Sequence, residues 1–508
     1  MARRLSAGHV DLVTLSGWGL VSSFLTFLEE LPFFAWLDLE GKGFQRGPEG
    51  APIPIARLIL TYQLKILLGI SSINLVPTKL FREIALLQLI GYTTTQLQIG
   101  FCQRGNLARG PMHQNTLADA VERLSADEVA QVLNGTAHRL ADRGFFAKST
   151  GHFALDASDL PTTAKYTGAG VLKKIEKKVT RDKKVVEIER WVYGFQVFVL
   201  YEVHLRLVVA AKVVPIQERE TRHTLALVRQ AIQNLGPGVI QVLLIDRGFL
   251  DGANLWMLKH QWGIDFVVPA KEKMHVTADA RGLARQEADG ENIVSAERRG
   301  TEKRDTKGRV RWEGQVTAVG VADLRSYDQY GEEDQTNQAH RTDFVGNALN
   351  AVVVTTWQGV AYPAGDEKVF LTSLSIAQPL DILDRYDLRS LIENTGAPFG
   401  SRELKQGWGL EHYPKQTEAA GRGHVFVTLV PFTWANAFRT TPGQDLTQQG
   451  VRRQRAAEES NMVIVFAGDH YTMFDIEEVF SLLGVVPQLC FTSDPAHVRS
   501  RDGLPSVA

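Results

Sequence analysis

Three carboxylates carry the chemistry this sequence can do. Asp156 closes the short apolar run His-Phe-Ala-Leu at 152–155, and Asp246 closes a second run, 239–245, that ends Leu-Leu-Ile. A carboxylate at the C-terminal end of a buried strand faces the crevice where open α/β sheets place their sites. Two of them on neighbouring strands repel unless a proton or a cation stands between them. An all-oxygen ligand set favours magnesium or manganese over zinc. Two such ions about 4 Å apart activate an attacking oxygen and stabilise the leaving one in phosphoryl transfer. Glu393 is the expected third ligand. In Tyr386-Asp-Leu-Arg389-Ser-Leu-Ile-Glu393, residues 386, 389 and 393 fall at i, i+3 and i+7 and share one helical face. Glu393 would bind metal, Arg389 would clamp a phosphate oxygen and Tyr386 would donate a hydrogen bond. Asp159 competes with Asp156 for the first position, but it reads equally as a turn cap before Pro161. Taken singly, each aspartate is an ordinary strand-end residue, and the Tyr-Arg-Glu trio is a solvated face with an Arg–Glu pair. The chemical reading rests on all three together.

The elements that must position them follow from periodicity. Residues 1–148 read as mostly helical, with amphipathic segments at 20–31, 79–90, 96–99 and 117–124. Short helices joined by a glycine turn suit either a helix-turn-helix DNA-binding domain or a plain bundle. From 149 to 270 the pattern becomes strand (152–155), hairpin (191–215), helix (220–235), strand (239–245), helix (252–262) and strand (266–269). That order is the one of a ribonuclease H-like mixed-sheet α/β core. Residues 271–375 read as a β-rich insertion with strands at 310–321, 351–357 and 369–374. Helix resumes over 379–392. The remainder of the core and a C-terminal region extend to 490, with an apolar segment at 425–438 and a strand and helix at 462–483. Residues 491–508 read as a flexible tail.

With these elements in place, Ala154-Leu-Asp156-Ala-Ser, Leu244-Ile-Asp246-Arg-Gly-Phe249 and Tyr386-x2-Arg389-x3-Glu393 resemble the DDE transposases of bacterial insertion sequences. The similarity is to the branch with a Tyr-Arg-Glu-Lys signature and covers roughly residues 150–415. It implies a catalytic core with a β-rich insertion between the second aspartate and the glutamate. Ninety residues separate Asp156 from Asp246 and 147 separate Asp246 from Glu393, which leaves room for both. The resemblance also implies two Mg2+ ions (Mn2+ as a substitute), cleavage of DNA at element ends, and transfer of the freed 3′-hydroxyl into target DNA. The implied partners are terminal inverted repeats, target DNA and a second copy of the chain on paired ends. The implied location is cytoplasmic, on the bacterial nucleoid. Arg247, beside Asp246, joins the DNA-binding set. One departure stands out. The signature lysine lies seven residues after the glutamate, where this chain has Gly400. Pro398 and the flanking glycines break the helix there. Lys405, in Arg402-Glu-Leu-Lys405, would hold the DNA phosphate from a second helix, with Arg402 as the alternative. Two other functions stay open: a stand-alone metal-dependent nuclease, and an inactive transposase-derived DNA-binding protein.

Composition excludes other classes. The chain has 508 residues, 44% of them hydrophobic, and a net charge of −1, so any charge directed at DNA must be local. Two cysteines, Cys102 and Cys490, are too few for a disulfide framework or a cysteine-based zinc site. The N-terminal apolar run is interrupted by polar residues and reads as a buried helix rather than an export signal, and no segment reads as a membrane span. No Gly-rich phosphate loop points to ATP. The basic stretch 173–184 reads as a track for a DNA backbone or as a solvated loop. Trp312 and Trp357 read as base-stacking residues or as buried core. His223 and His424 have no partner at metal-ligand spacing.

Overall fold

In the computed structural model, strands and helices are described over residues 1–10, 12–16, 24, 27–28, 43–44, 53–93, 96–97, 111–124, 126–179, 185–286, 293–304, 310–325, 349–389, 404–405, 408–440, 462–467 and 470–483. Three short strands come first: β1 (Leu12–Ser16), β2 (Gly43–Phe44) and β3 (Ile53–Pro54). The core strands are β4 (His152–Thr162), β5 (Gly170–Val179), β6 (Val185–Glu202), β7 (Val208–Pro215), β8 (Val242–Ile245) and β9 (Asp265–Pro269). The insertion supplies β10 (Ile293–Arg304), β11 (Val310–Leu324), β12 (Leu349–Trp357), β13 (Val360–Ala361) and β14 (Lys368–Thr372). Near the end of the chain come β15 (Met462–Ala467) and β16 (His470–Asp475).

The centre of the large sheet has the order β7-β6-β4-β8-β9. β4 pairs antiparallel with β6 and β6 antiparallel with β7, while β8 runs parallel to both β4 and β9. Three antiparallel strands followed by two parallel ones, with the helix Thr224–Leu235 crossing from β7 to β8, is the ribonuclease H-like arrangement the element order predicts. The four residues of β8 are all buried, as suits a strand covered on both faces. The insertion continues this sheet. β14 pairs with β9, and β12, β11 and β10 follow, giving an 11-stranded sheet among the described residues.

Among the described residues, the larger helices have no core separate from that of the sheet. Ile55–Leu67, Asn115–Arg123 and Ala126–Asp142 pack on the long helix Glu418–Thr440, whose described side chains are buried from Val425 to Trp434. Their apolar residues join those of the sheet in one cluster. Short helices with one apolar face each must borrow a partner, and a helix apolar all round supplies it. The first strand also pairs with β15, so residues 12–16 meet residues 462–466.

Several elements differ from the expectation. The segment 79–90 is two short helices, Val76–Lys79 and Ile84–Leu89, separated by a turn. Residues 252–262 form an α-helical turn that continues as a π-helix from Met257 to Gln261. Of the basic stretch 173–184, residues 173–179 are strand β5, paired with β6, and not a loop; 180–184 lie outside the described residues. The strands at the C-terminal end are two, not one. Trp357 is 39% exposed at the β12–β13 turn, which excludes the core reading for it. Trp312's side chain, the far part of the predicted helix 379–392 and the tail 491–508 lie outside the described residues.

Candidate active site

The parallel register of β4 and β8 sets the site. Leu155 faces Ile245, so the next residues on the two strands, Asp156 and Asp246, stand side by side at the same level. Neighbouring strands lie about 4.8 Å apart. β8 ends there because Asp246 turns to cap the following 3-10 turn, accepting a hydrogen bond from the Arg247 N–H through Oδ1 at 2.7 Å.

A guanidinium sits between the two carboxylates. Arg389 Nη2 donates to Asp156 Oδ1 at 3.0 Å and lies 3.9 Å from Asp246 Oδ2. The arginine is almost wholly buried. It follows directly on the helix Pro379–Asp387, whose Pro379 starts it at the favoured first position. The Arg389 N–H closes the last turn on the Tyr386 carbonyl at 2.9 Å. Tyr386 is packed sideways against Phe370 of β14, with ring centroids 5.0 Å apart, and Arg389 lies 6.0 Å from its ring. The insertion holds this helix from the other side: Arg299 of β10 makes a two-pronged ion pair with Asp384 at 2.6 and 2.8 Å, and Glu297 accepts the Leu380 N–H at 2.9 Å.

Asp159 is engaged elsewhere. It forms an ion pair with Lys174 of β5 and receives a hydrogen bond from Gln196 at 3.4 Å. Its backbone carbonyl accepts from Lys405 Nζ at 2.6 Å, so Lys405 reaches the strand of Asp156 three residues beyond it. Lys405 also faces Glu411 at 3.5 Å. Its segment is anchored by the buried side chains of Leu404, Trp408 and Leu410. It is anchored again by His424, whose Nε2 donates to the Gly409 carbonyl at 2.9 Å while Nδ1 accepts from the Tyr62 hydroxyl at 2.9 Å. Burial pushes the His424 pKa down to about 3, so this histidine is a neutral structural link. His223 is a similar local case, paired with Glu218 at 3.2 Å. Glu393 and Arg402 lie outside the described residues.

Two groups near the aspartates escaped the sequence reading. Glu220, at the turn before the helix Thr224–Leu235, presses its carboxylate so closely on Gly248 that a Cβ there would fall 1.5 Å from Oε2. Burial raises its pKa above the ordinary value, and the charges of Asp246, Asp156 and Asp159 raise it further against the pull of Lys271. Beside it, Arg247, Gly248, Lys271, Glu272, Lys273 and Met274 line an open groove of about 530 Å³. Glu220 follows no apolar run and Lys271 belongs to no motif. Only the strand order brings either to Asp246.

The donor set fits a hard divalent cation. Asp156 and Asp246 offer oxygens alone, and the cation between them shows that the pair accepts positive charge. Among the described residues no three His, Cys, Asp or Glu side chains converge tightly enough to hold a metal ion.

Comparison with known proteins gives the family of this chain. The family model described as "Transposase DDE domain" matches residues 147–427, more than half the chain. The chain belongs to that family. Its matched span starts just before β4 and takes in Asp156, Asp246 and Arg389. A search of curated proteins finds no match. Among solved structures, the chain is similar to a piggyBac transposase in a synaptic complex with hairpin DNA, at 8% identity and a TM-score of 0.35, over 90% of this chain and 77% of that one. Among the described residues, no helix is long and apolar enough to cross a membrane.

Proposed function

We propose that this chain is a DNA transposase that cuts at the ends of its own element and joins the freed 3′-hydroxyl to target DNA. The observation that carries the reading is the level pairing of Asp156 and Asp246 on adjacent parallel strands around one buried cation. Asp156 and Asp246, with Glu393, would hold two Mg2+ or Mn2+ ions. When bound, these ions supply the positive charge that activates the attacking oxygen and steadies the leaving one. Arg389 then exchanges its carboxylate contacts for a phosphate oxygen, and its planar fork suits both. Lys405, bonded to the Asp159 carbonyl, would meet the backbone on that side, with Arg402 beside it in sequence, and Arg247 would meet it on the other. Tyr386 backs Arg389. No protein nucleophile is needed, because water and then the DNA 3′-hydroxyl attack in turn. The branch with the Tyr-Arg-Glu-Lys signature, a bacterial insertion-sequence origin, a cytoplasmic site of action on the nucleoid, and a homodimer on paired inverted repeats belong to this same reading.

The test uses purified chain, Mg2+ and duplexes carrying the inverted repeats that flank its gene. Cutting followed by joining is expected from the wild type, and neither from Asp156→Asn, Asp246→Asn or Glu393→Gln. Cutting without joining would identify a nuclease instead. Normal joining by Asp156→Asn would overturn the site.

A further inference from the structure

The ribbon formed by β5 and β6 has no structural explanation within the fold. β4 stops pairing with β6 at Thr162–Tyr193, yet β5 and β6 stay paired from Leu172–Val192 to Val179–Val185. Eight residue pairs therefore extend beyond the sheet with no third strand among the described residues, roughly 26 Å of ribbon. Isolated two-stranded ribbons are marginally stable in water because they bury too little. This one also leaves apolar side chains in solvent. Val171, Ile175 and Trp191 are 41%, 59% and 59% exposed. The register pairs Val171 with Tyr193, Lys173 with Trp191 and Ile175 with Glu189, so the three apolar residues share one face. On that face Lys173 lies 6.0 Å from the Trp191 ring and 2.6 Å from Glu189.

Charge narrows what would cover this face. Residues 170–194 carry eight Lys and Arg against four Asp and Glu, a net +4 in a chain whose total is −1. Lysines on an edge strand such as β5 deter pairing with another edge. That accounts for the lysines but not for an indole and two aliphatic side chains on the broad face. A second copy would bring the same positive ribbon and be repelled. A nucleic-acid duplex is the complementary partner: its major groove admits a two-stranded ribbon, its phosphates attract the basic residues, and its thymine methyl groups offer apolar contacts. The base of the ribbon adjoins the site. Lys174 pairs with Asp159, and Gly194 crosses the Leu160 carbonyl so closely that no Cβ fits between them.

We infer that the β5–β6 ribbon is a DNA arm, which grips duplex outside the catalytic crevice through its basic residues and the Val171–Ile175–Trp191 face. The inference rests on the transposase reading above. Its test is a binding experiment without metal, in EDTA, using a linear duplex that carries the flanking inverted repeat and an unrelated duplex of equal length. The key variant replaces residues 175–189 by Asn-Gly, which joins the facing residues Lys174 and Arg190 through a two-residue turn. Relative to the intact chain, the plot of log affinity against log salt should become shallower by about two to four units. The footprint should also lose its outer part. Should the shortened chain misfold by circular dichroism, Trp191→Ala and Ile175→Thr carry the test, each expected to weaken binding roughly tenfold through lost apolar burial. An unchanged salt slope and footprint would overturn the arm. So would a change of mass from dimer to monomer with unaltered DNA affinity per protomer, which would make the ribbon a self-association surface. Failure of the intact chain to bind any duplex would instead overturn the transposase reading itself.

Discussion

Replacing Arg389 by alanine removes the cation that two carboxylates share, and the structure sets the size of the effect. The arginine side chain is 5% exposed, that of Asp156 13% and that of Asp246 42%. Removing one partner of a buried pair costs up to about 3–5 kcal/mol, because the other charge stays buried and loses that compensation. The 3.9 Å contact to half-exposed Asp246 is screened and adds under about 1 kcal/mol. Asp156 regains some water through the space the arginine leaves, so the lower end, about 3 kcal/mol, is expected. Unfolding entropy of about 2 cal/mol/K per residue, over the matched span 147–427, turns this into a Tm lower by about 5 °C. Asp156→Asn should cost less, since Arg389 retains Asp246. A double-mutant cycle of the two should give a coupling of about 1.5–3 kcal/mol. Metal supplies a second arm. In the wild type an incoming Mn2+ must displace the guanidinium, whereas in Arg389→Ala it meets two carboxylates that repel each other. Millimolar Mn2+ should therefore raise the Tm of the variant more than that of the wild type. Thermal denaturation with and without Mn2+ reads both. A variant Tm within 1 °C of wild type, with coupling under about 0.5 kcal/mol, would refute the bridge.

Four further predictions concern the surroundings of this pair and the segments that hold it. Gly248→Ala puts a methyl group where the Glu220 carboxylate lies, and because the end of that flexible side chain can swing aside, the metal-free protein should lose no more than about 1 kcal/mol; Glu220→Ala should relieve most of that loss, and strictly additive unfolding energies would reject the contact. Glu220 has a raised pKa, so its protonated form favours the folded state and that contribution is lost as pH rises through the folded value. Glu220→Gln should thus raise Tm at neutral pH, with the gain shrinking as pH falls toward 4.5, and a gain independent of pH would argue against the shift. His424 has a depressed pKa, so its contribution is present above 6.5 and is lost as pH falls toward about 3. His424→Asn should cost stability at pH 8 and flatten the acid limb of the stability profile by up to about 1.4 kcal/mol per pH unit, as measured by urea denaturation. The Arg299–Asp384 pair is about half exposed and should contribute under about 1 kcal/mol, fading with salt; a larger, salt-independent loss in Arg299→Ala would show that the insertion holds the Arg389 helix more strongly than its geometry indicates.

What the sequence disclosed, and what it concealed, divides along the range of the interaction. Asp246 was legible because it ends both an apolar run and its strand; Asp156 also ends an apolar run, but β4 continues through it to Thr162, so it is a mid-strand residue and the strand-end pattern fits Asp246 alone. The core order was legible for the same reason, since β4, β6, β7, β8 and β9 each carry their own apolar signal. Although the helix closes at Asp387 and leaves it in the turn that follows, not on a helical face, Arg389 was legible as a cation at this place in the chain. Its contact with both aspartates was not, because 233 residues separate it from Asp156 and no local pattern encodes that distance. Glu220 and Lys271 were invisible on similar grounds. The ribbon shows a different limit. Read by charge alone, residues 173–184 suit a solvated loop; read as alternation, Val171, Lys173 and Ile175 face Tyr193, Trp191 and Glu189 across a pair of strands. The lysines masked a strand pattern whose apolar positions turn outward. A sequence places apolar residues outside its own core at the expense of stability and solubility, so that pattern, and not the charge, is the mark of a surface built to be covered.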